Sequence, residues 1–219
     1  MAIAKPPTST HSKSRFSNAA EWLHALGDVP LERIVMNPAP GTATEADLLH
    51  FAERDKRLCE LVDGTLVEKP AGAWESIIAA RVATQLGSSV DARGLGAVCG
   101  ANGPMRMKTK RIRMPDASFI SLARLPKTWD RIFNFSPDLV VEVLSKTNTE
   151  REIQQKLDDY FKSGTRIAWI IDPKSRTAAV YHDARRAALL VDEHGFLDGD
   201  PVLPGLRFLM AELFVDVPR

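Results

Sequence analysis

The chain predicts a single α/β domain, a mixed β-sheet flanked by helices, and three local patterns carry that prediction. A run of β-formers at 139–144, an amphipathic helix at 150–163 and a second run at 166–171 make a strand–helix–strand crossover. The two strands of such a unit should lie parallel, with a right-handed connection. Asp63-Gly64 stands between two short apolar runs, which is a hairpin signal. The segment 74–90 repeats apolar residues at helical spacing. A length of 219 residues, with 44% apolar and 26% charged side chains, suits one sizeable globular domain.

The elements follow in order. Residues 1–16 are crowded with Pro, Ser and Thr and lack apolar periodicity, so they read as a disordered tail. An extension, 17–43, holds a short helix near 19–26 ending at Gly27, then a stiff Pro38-Ala39-Pro40-Gly41 connector. The main domain is expected over 44–219. Thr44, with Asp47 three residues on, caps a helix reaching about Arg57. The hairpin takes 58–62 and 65–68. In the helix 74–90, Trp74, Ile78, Val82 and Leu86 form one stripe. After Gly94-Leu95-Gly96 a short strand at 97–99 is expected, and 105–120 reads as one or two strands. Thr149 and Glu152 have capping-box spacing, and Ile153, Leu157, Tyr160 and Phe161 form the buried face up to Gly164. Asp172-Pro173-Lys174-Ser175 turns the chain into a strand at 177–182. Short strands should follow 188, before a turn at Leu203-Pro204-Gly205.

Composition narrows the function classes. Lys and Arg total 29 against 28 Asp and Glu, a net charge of +1, so any nucleic-acid-binding surface must be local. Two cysteines, Cys59 and Cys99, have no ligand spacing and read as buried residues of a reducing compartment. Five scattered histidines argue against a histidine-metal nuclease. No signal peptide and no run of roughly 20 apolar residues is seen, so a soluble cytoplasmic protein is expected.

The chemistry concentrates in two segments. Met114-Pro115-Asp116-Ala117-Ser118-Phe119-Ile120 and Pro137-Asp138-Leu139-Val140-Val141-Glu142-Val143-Leu144 each set a carboxylate among β-formers, where it is a costly guest. If the two strands pair, Asp116 and Glu142 come within reach of one ion. Two carboxylates and a backbone carbonyl, with water and substrate filling the rest, suit Mg²⁺. Lys156 falls at the edge of the buried helix stripe and could lean toward Glu142; otherwise it is a snorkelling lysine covering apolar surface. Lys162 falls opposite and should be in water. Glu75 interrupts an apolar stripe. It is either a carboxylate favoured by the helix dipole or one aimed at the metal site. Arg106, Lys108, Lys110, Arg111 and Arg113 crowd into the segment before Asp116. They are either a charged edge strand or a phosphate-tracking groove. Asp138 begins its strand and reads as structural. An acid, an acid and a lysine on adjacent elements point to metal-assisted phosphodiester hydrolysis.

These segments, with Glu60-Leu61-Val62-Asp63-Gly64, Lys156 and Tyr160, and Trp169-Ile170-Ile171-Asp172-Pro173, resemble the PD-(D/E)XK nuclease superfamily. More closely, they resemble a bacterial family of putative restriction endonucleases, formerly a domain of unknown function. The resemblance covers about 40–215. It implies a restriction-endonuclease-like core and a Mg²⁺-dependent endonuclease acting on DNA, with Mn²⁺ as substitute and RNA not excluded. Asp116 and Glu142 would be metal ligands, the carbonyl of Val143 a third, Lys156 the catalytic lysine and Glu75 the acid of the first core helix. The superfamily pattern places lysine two residues after the second acid, where this chain has Leu144. The resemblance therefore moves the lysine to Lys156. A homodimer is implied if both strands of a duplex are cut together. The alternative is an inert nucleic-acid-binding or structural protein that keeps the fold.

Overall fold

Thr44 and Asp47 exchange hydrogen bonds as a full capping box and start a helix that the left-handed Lys56 ends. A computed structural model describes residues 16–70, 72–186 and 189–214; the expected disordered tail lies outside these but for Phe16. The helices are α1 (Ala19–Ala25), α2 (Glu45–Asp55), α3 (Ala73–Arg93) and α4 (Glu150–Ser163). The first strands are β1 (Cys59–Val62), β2 (Thr65–Glu68), β3 (Gly96–Gly100), β4 (Met105–Arg106), β5 (Ile112–Arg113) and β6 (Ala117–Ser121). β7 (Leu139–Val143), β8 (Ile167–Asp172), β9 (Thr177–Tyr181), β10 (Leu189–Val191), β11 (Phe196–Asp198) and β12 (Arg207–Leu209) complete the set. Asp63 and Gly64 both take positive φ, the turn that lets β1 and β2 pair without splaying.

A six-stranded sheet runs in the order β10-β9-β8-β7-β6-β3, and a four-stranded sheet in the order β2-β1-β5-β4. β7 and β8 are parallel, joined through α4 as the crossover reading expects, while the other pairs of the larger sheet are antiparallel. The stretch 105–120 differs from its expectation. It gives three short strands, the first two in the smaller sheet and the third in the larger. A tight turn at Met107–Arg111, with Lys110 at positive φ, splits the first pair. Pro115 then lacks the amide hydrogen that a continued ladder would need.

The larger sheet is covered on both faces because its strands are apolar on both. Ile78, Val82, Leu86 and Val90 of α3 pack with Phe119, Val141 and Trp169 on one face. Leu157 and Tyr160 of α4 pack with Ile120, Val140 and Ile170 on the other. The alternation of side chains puts Glu142 on the α4 face with Val140. Thr149 caps α4 as expected, but Glu152 does not complete the box. Its carboxylate goes to Arg33, at 2.6 and 2.9 Å. The extension docks here: Leu26, Val29 and Ile34 pack with Val62 and Val67 of the hairpin. Gly27 lies so close to α4 that a Cβ would come within 2.7 Å of the Glu152 Cα.

Candidate active site

Register brings the two acids together. Ala117 of β6 faces Val141 of β7, so Asp116 falls beside Glu142, and the Asp116 amide donates to the Val141 carbonyl at 2.9 Å. One Asp116 oxygen accepts from the Val143 amide at 2.8 Å. That bond pins the carboxylate over the end of β7. Glu142 is held from α4. Lys156 donates to its Oε2 at 2.9 Å, and the Tyr160 hydroxyl donates to its Oε1. Lys156 and Tyr160 are four residues apart and share a helix face, which is why one helix reaches both oxygens.

Behind this pair lies a buried charge network. Glu60 of β1 accepts from Arg113 at 2.8 Å and from the Met114 amide at 3.1 Å, and stands 3.2 Å from the Lys156 ammonium. Arg113 reaches Asp159 of α4 at 2.7 Å. Burial opposes the Glu60 charge, but Lys156, Arg113 and Lys69 outweigh it and push the carboxyl down to about 2. Burial likewise opposes the Lys156 charge, and Glu142, Glu60 and Glu152 more than offset it, so the ammonium is held above its usual range. Burial pushes the Glu142 carboxyl up; Lys156 pulls it back, while Asp116 and Glu60 push with the burial.

Asp116, Glu142, Val143 and Lys156 border one cavity of about 770 Å³, whose far wall is the first half of α3. Glu75 lines it from the first turn of that helix and, among the described residues, has neither a hydrogen-bond nor an ion-pair partner. Thus the structure gathers Asp116, Glu142, Val143, Lys156 and Glu75 around one space. The basic segment is placed elsewhere. Arg113 is buried in the network, Arg111 pairs with Asp63 at 2.6 Å and Arg106 with Glu45 at 2.5 Å. Lys108 and Lys110 are exposed, and none of these side chains lines the cavity. Asp138 turns away from it, accepting from the Ser121 amide at 2.8 Å and from Arg124 at 3.0 Å. Lys162 is exposed and pairs with Asp158.

Two residues at the site carried no sequence signal. Glu60 stood only inside a matching stretch and had no assigned role. Lys69, just after β2, donates to Asp116 Oδ1 at 2.8 Å and lines the cavity. Each meets its partners only through pairings far apart in sequence. Exposed Lys56 and Arg57 stand at the rim of the same cavity.

A family model described as Uma2, putative restriction endonuclease, matches residues 45–212. The chain belongs to that family. The same fold is seen in a crystal structure of a putative nuclease of the DUF820 family from Anabaena variabilis. It is 20% identical, with a TM-score of 0.66, and the match covers 73% of this chain and 90% of that one. No curated protein sequence matches the chain. Residues 16–44 lie outside the Uma2 match, yet this extension supplies Arg33 to the helix that carries Lys156. Among the described residues, no helix is long and apolar enough to cross a membrane.

The donor set is all oxygen. Among the described residues no group of three or more His, Cys, Asp or Glu is placed to hold a metal ion. The two neighbouring carboxylates, Asp116 and Glu142, match the sparse requirement of Mg²⁺, which keeps several waters and takes one or two protein carboxylates.

Proposed function

We propose that this Uma2 protein is a metal-dependent endonuclease that hydrolyses DNA phosphodiester bonds. Mg²⁺ is the ion, and Mn²⁺ is a working substitute. The observation that carries the reading is the pairing of Asp116 with Glu142 across β6 and β7, at the edge of a cavity that also holds a buried lysine. Asp116, Glu142 and the Val143 carbonyl would hold the ion. When bound, it supplies polarisation of the phosphate and acidification of a water.

The chain's own groups have distinct parts. Lys156 stands 2.9 Å from Glu142 and 3.2 Å from Glu60, and these acids favour its charged form, so its part is that of a donor. Its charge opposes the upward push of burial on Glu142 and favours the negative charge that builds on phosphorus. Glu75 is the one acid of this set with no cation of its own among the described residues, and it is suited to orient the attacking water and take its proton. Tyr160, donating to Glu142, fixes which way that carboxylate points. Cutting both strands of a duplex needs two such sites, so the proposed active species is a homodimer.

Plasmid nicking in Mg²⁺, Mn²⁺ and EDTA tests this, with Glu142→Gln and Lys156→Met beside the wild type. Cleavage should need the metal and fall on the order of 10²–10³-fold in each folded variant, as when one transition-state contact is removed. Loss in Glu142→Gln alone would keep the nuclease and remove Lys156 from its chemistry. No cleavage of plasmid, single-stranded DNA or RNA by the wild type would favour an inert nucleic-acid-binding protein.

A further inference from the structure

Lys69 is placed with unusual economy. Its amide donates to the Leu58 carbonyl at 2.8 Å, which extends the β1–β2 ladder, and Pro70 follows, so its backbone is fixed. Its side chain is 8% exposed. The ammonium donates to Asp116 Oδ1 at 2.8 Å and to the Met114 carbonyl at 2.5 Å. The other Asp116 oxygen is engaged by the Val143 amide. The carboxylate that faces the cavity thus already has a cation on one oxygen and a hydrogen-bond donor on the other.

We propose that Lys69 is a tethered competitor for the metal at Asp116, displaced from Oδ1 when a divalent cation binds and then free to contact a phosphodiester in the cavity. An ammonium and a divalent ion on one carboxylate oxygen repel each other, so each weakens the other's hold on Asp116 Oδ1. Asp116 is the acid where this competition acts, because the Val143 amide already engages its other oxygen. The lysine lines the cavity, and its stem lets the charge swing while the backbone stays. An anionic phosphate in that space stabilises the displaced ammonium. Metal and nucleic acid then bind with positive coupling: each lowers the cost of the other, and by the same factor. This role presupposes the metal site proposed above.

The test is Mn²⁺ binding, followed by calorimetry and by the electron paramagnetic signal of free Mn²⁺. It compares the wild type, Lys69→Met, Lys69→Arg and Asp116→Ala. Lys69→Met should bind Mn²⁺ at least tenfold more tightly than the wild type, Lys69→Arg should stay weak, and Asp116→Ala should lose the site. A short DNA duplex should tighten Mn²⁺ binding to the wild type but much less to Lys69→Met. If Lys69→Met does not fold, Lys69→Gln, which is neutral yet still a donor, carries the same comparison. Equal Mn²⁺ affinity in wild type and Lys69→Met, with the site lost in Asp116→Ala, would overturn the role of Lys69 and leave the metal site standing. An equal gain in Lys69→Arg would overturn it too, because packing and not charge would then be the cause. Absence of binding in every variant would overturn both the competitor and the metal site.

Discussion

Replacing Arg33 by methionine keeps most of the side-chain stem and removes the charge, so it isolates what the guanidinium does. That group donates twice to Glu152, at 2.6 and 2.9 Å, once to the Thr147 carbonyl at 3.1 Å and once to the Glu68 carbonyl at 2.9 Å. Without it, Glu152 keeps only the Asn148 amide, at 2.8 Å, and the cap-side hydrogen bond of its own backbone. Glu152 is 2% exposed. Stripping one partner from a buried pair typically costs about 3–5 kcal/mol, and the surviving Asn148 contact argues for about 3. For a chain of this size that loss corresponds to a fall in Tm of about 6–12 °C. The assay is urea denaturation of the wild type, Arg33→Met, Glu152→Gln and the double variant. The double variant should lose less than the sum of the singles, by roughly 1–3 kcal/mol. The pH dependence has a fixed sign. Burial opposes the Glu152 charge, and Arg33, Lys156 and Asn148 overcome it, so the folded carboxyl lies below its ordinary value of 4.5. The stabilisation is complete above that value and is lost as pH falls through the lowered one. The gap between wild type and Arg33→Met should therefore narrow in acid. A loss below about 1 kcal/mol, the range of an exposed pair, would refute the reasoning, as would a gap that widens in acid.

Gly72→Ala should leave stability within about 0.5 kcal/mol but reduce cleavage, because a Cβ there would sit 1.8 Å from Glu75 Oε2 and push the flexible end of that side chain aside. Unfolding and nicking assays on one preparation check both halves, and unchanged cleavage would remove Glu75 from the chemistry. Asp138→Asn should do the reverse, costing about 1.5–3 kcal/mol through the Ser121 and Arg124 hydrogen bonds while leaving cleavage per folded molecule intact. A stable but inactive Asp138→Asn protein would place Asp138 in the site after all.

By itself the sequence determined whatever is written in local order. The Asp63-Gly64 turn, the stripe from Trp74 to Leu86, the Thr149 cap and the parallel crossover through α4 each follow from the spacing of neighbouring residues, and each is present. The adjacency of Asp116 and Glu142 was legible for the same reason, since strand pairing converts two short runs into one site. The identity of the groups around those acids was not. Lys69 meets Asp116, Arg113 meets Glu60 and Arg33 meets Glu152 across long stretches of chain, and a charged residue carries no periodic mark that separates a buried partner from a solvated one. The segment 106–113 shows the consequence: as a string it is a basic patch, yet the fold commits Arg106, Arg111 and Arg113 to carboxylates on α2, the hairpin and α4. Apolar burial is set by local pattern because it is non-directional. The pairing of buried charges depends on distance and direction in three dimensions, and only the tertiary structure decided which cation faces which acid.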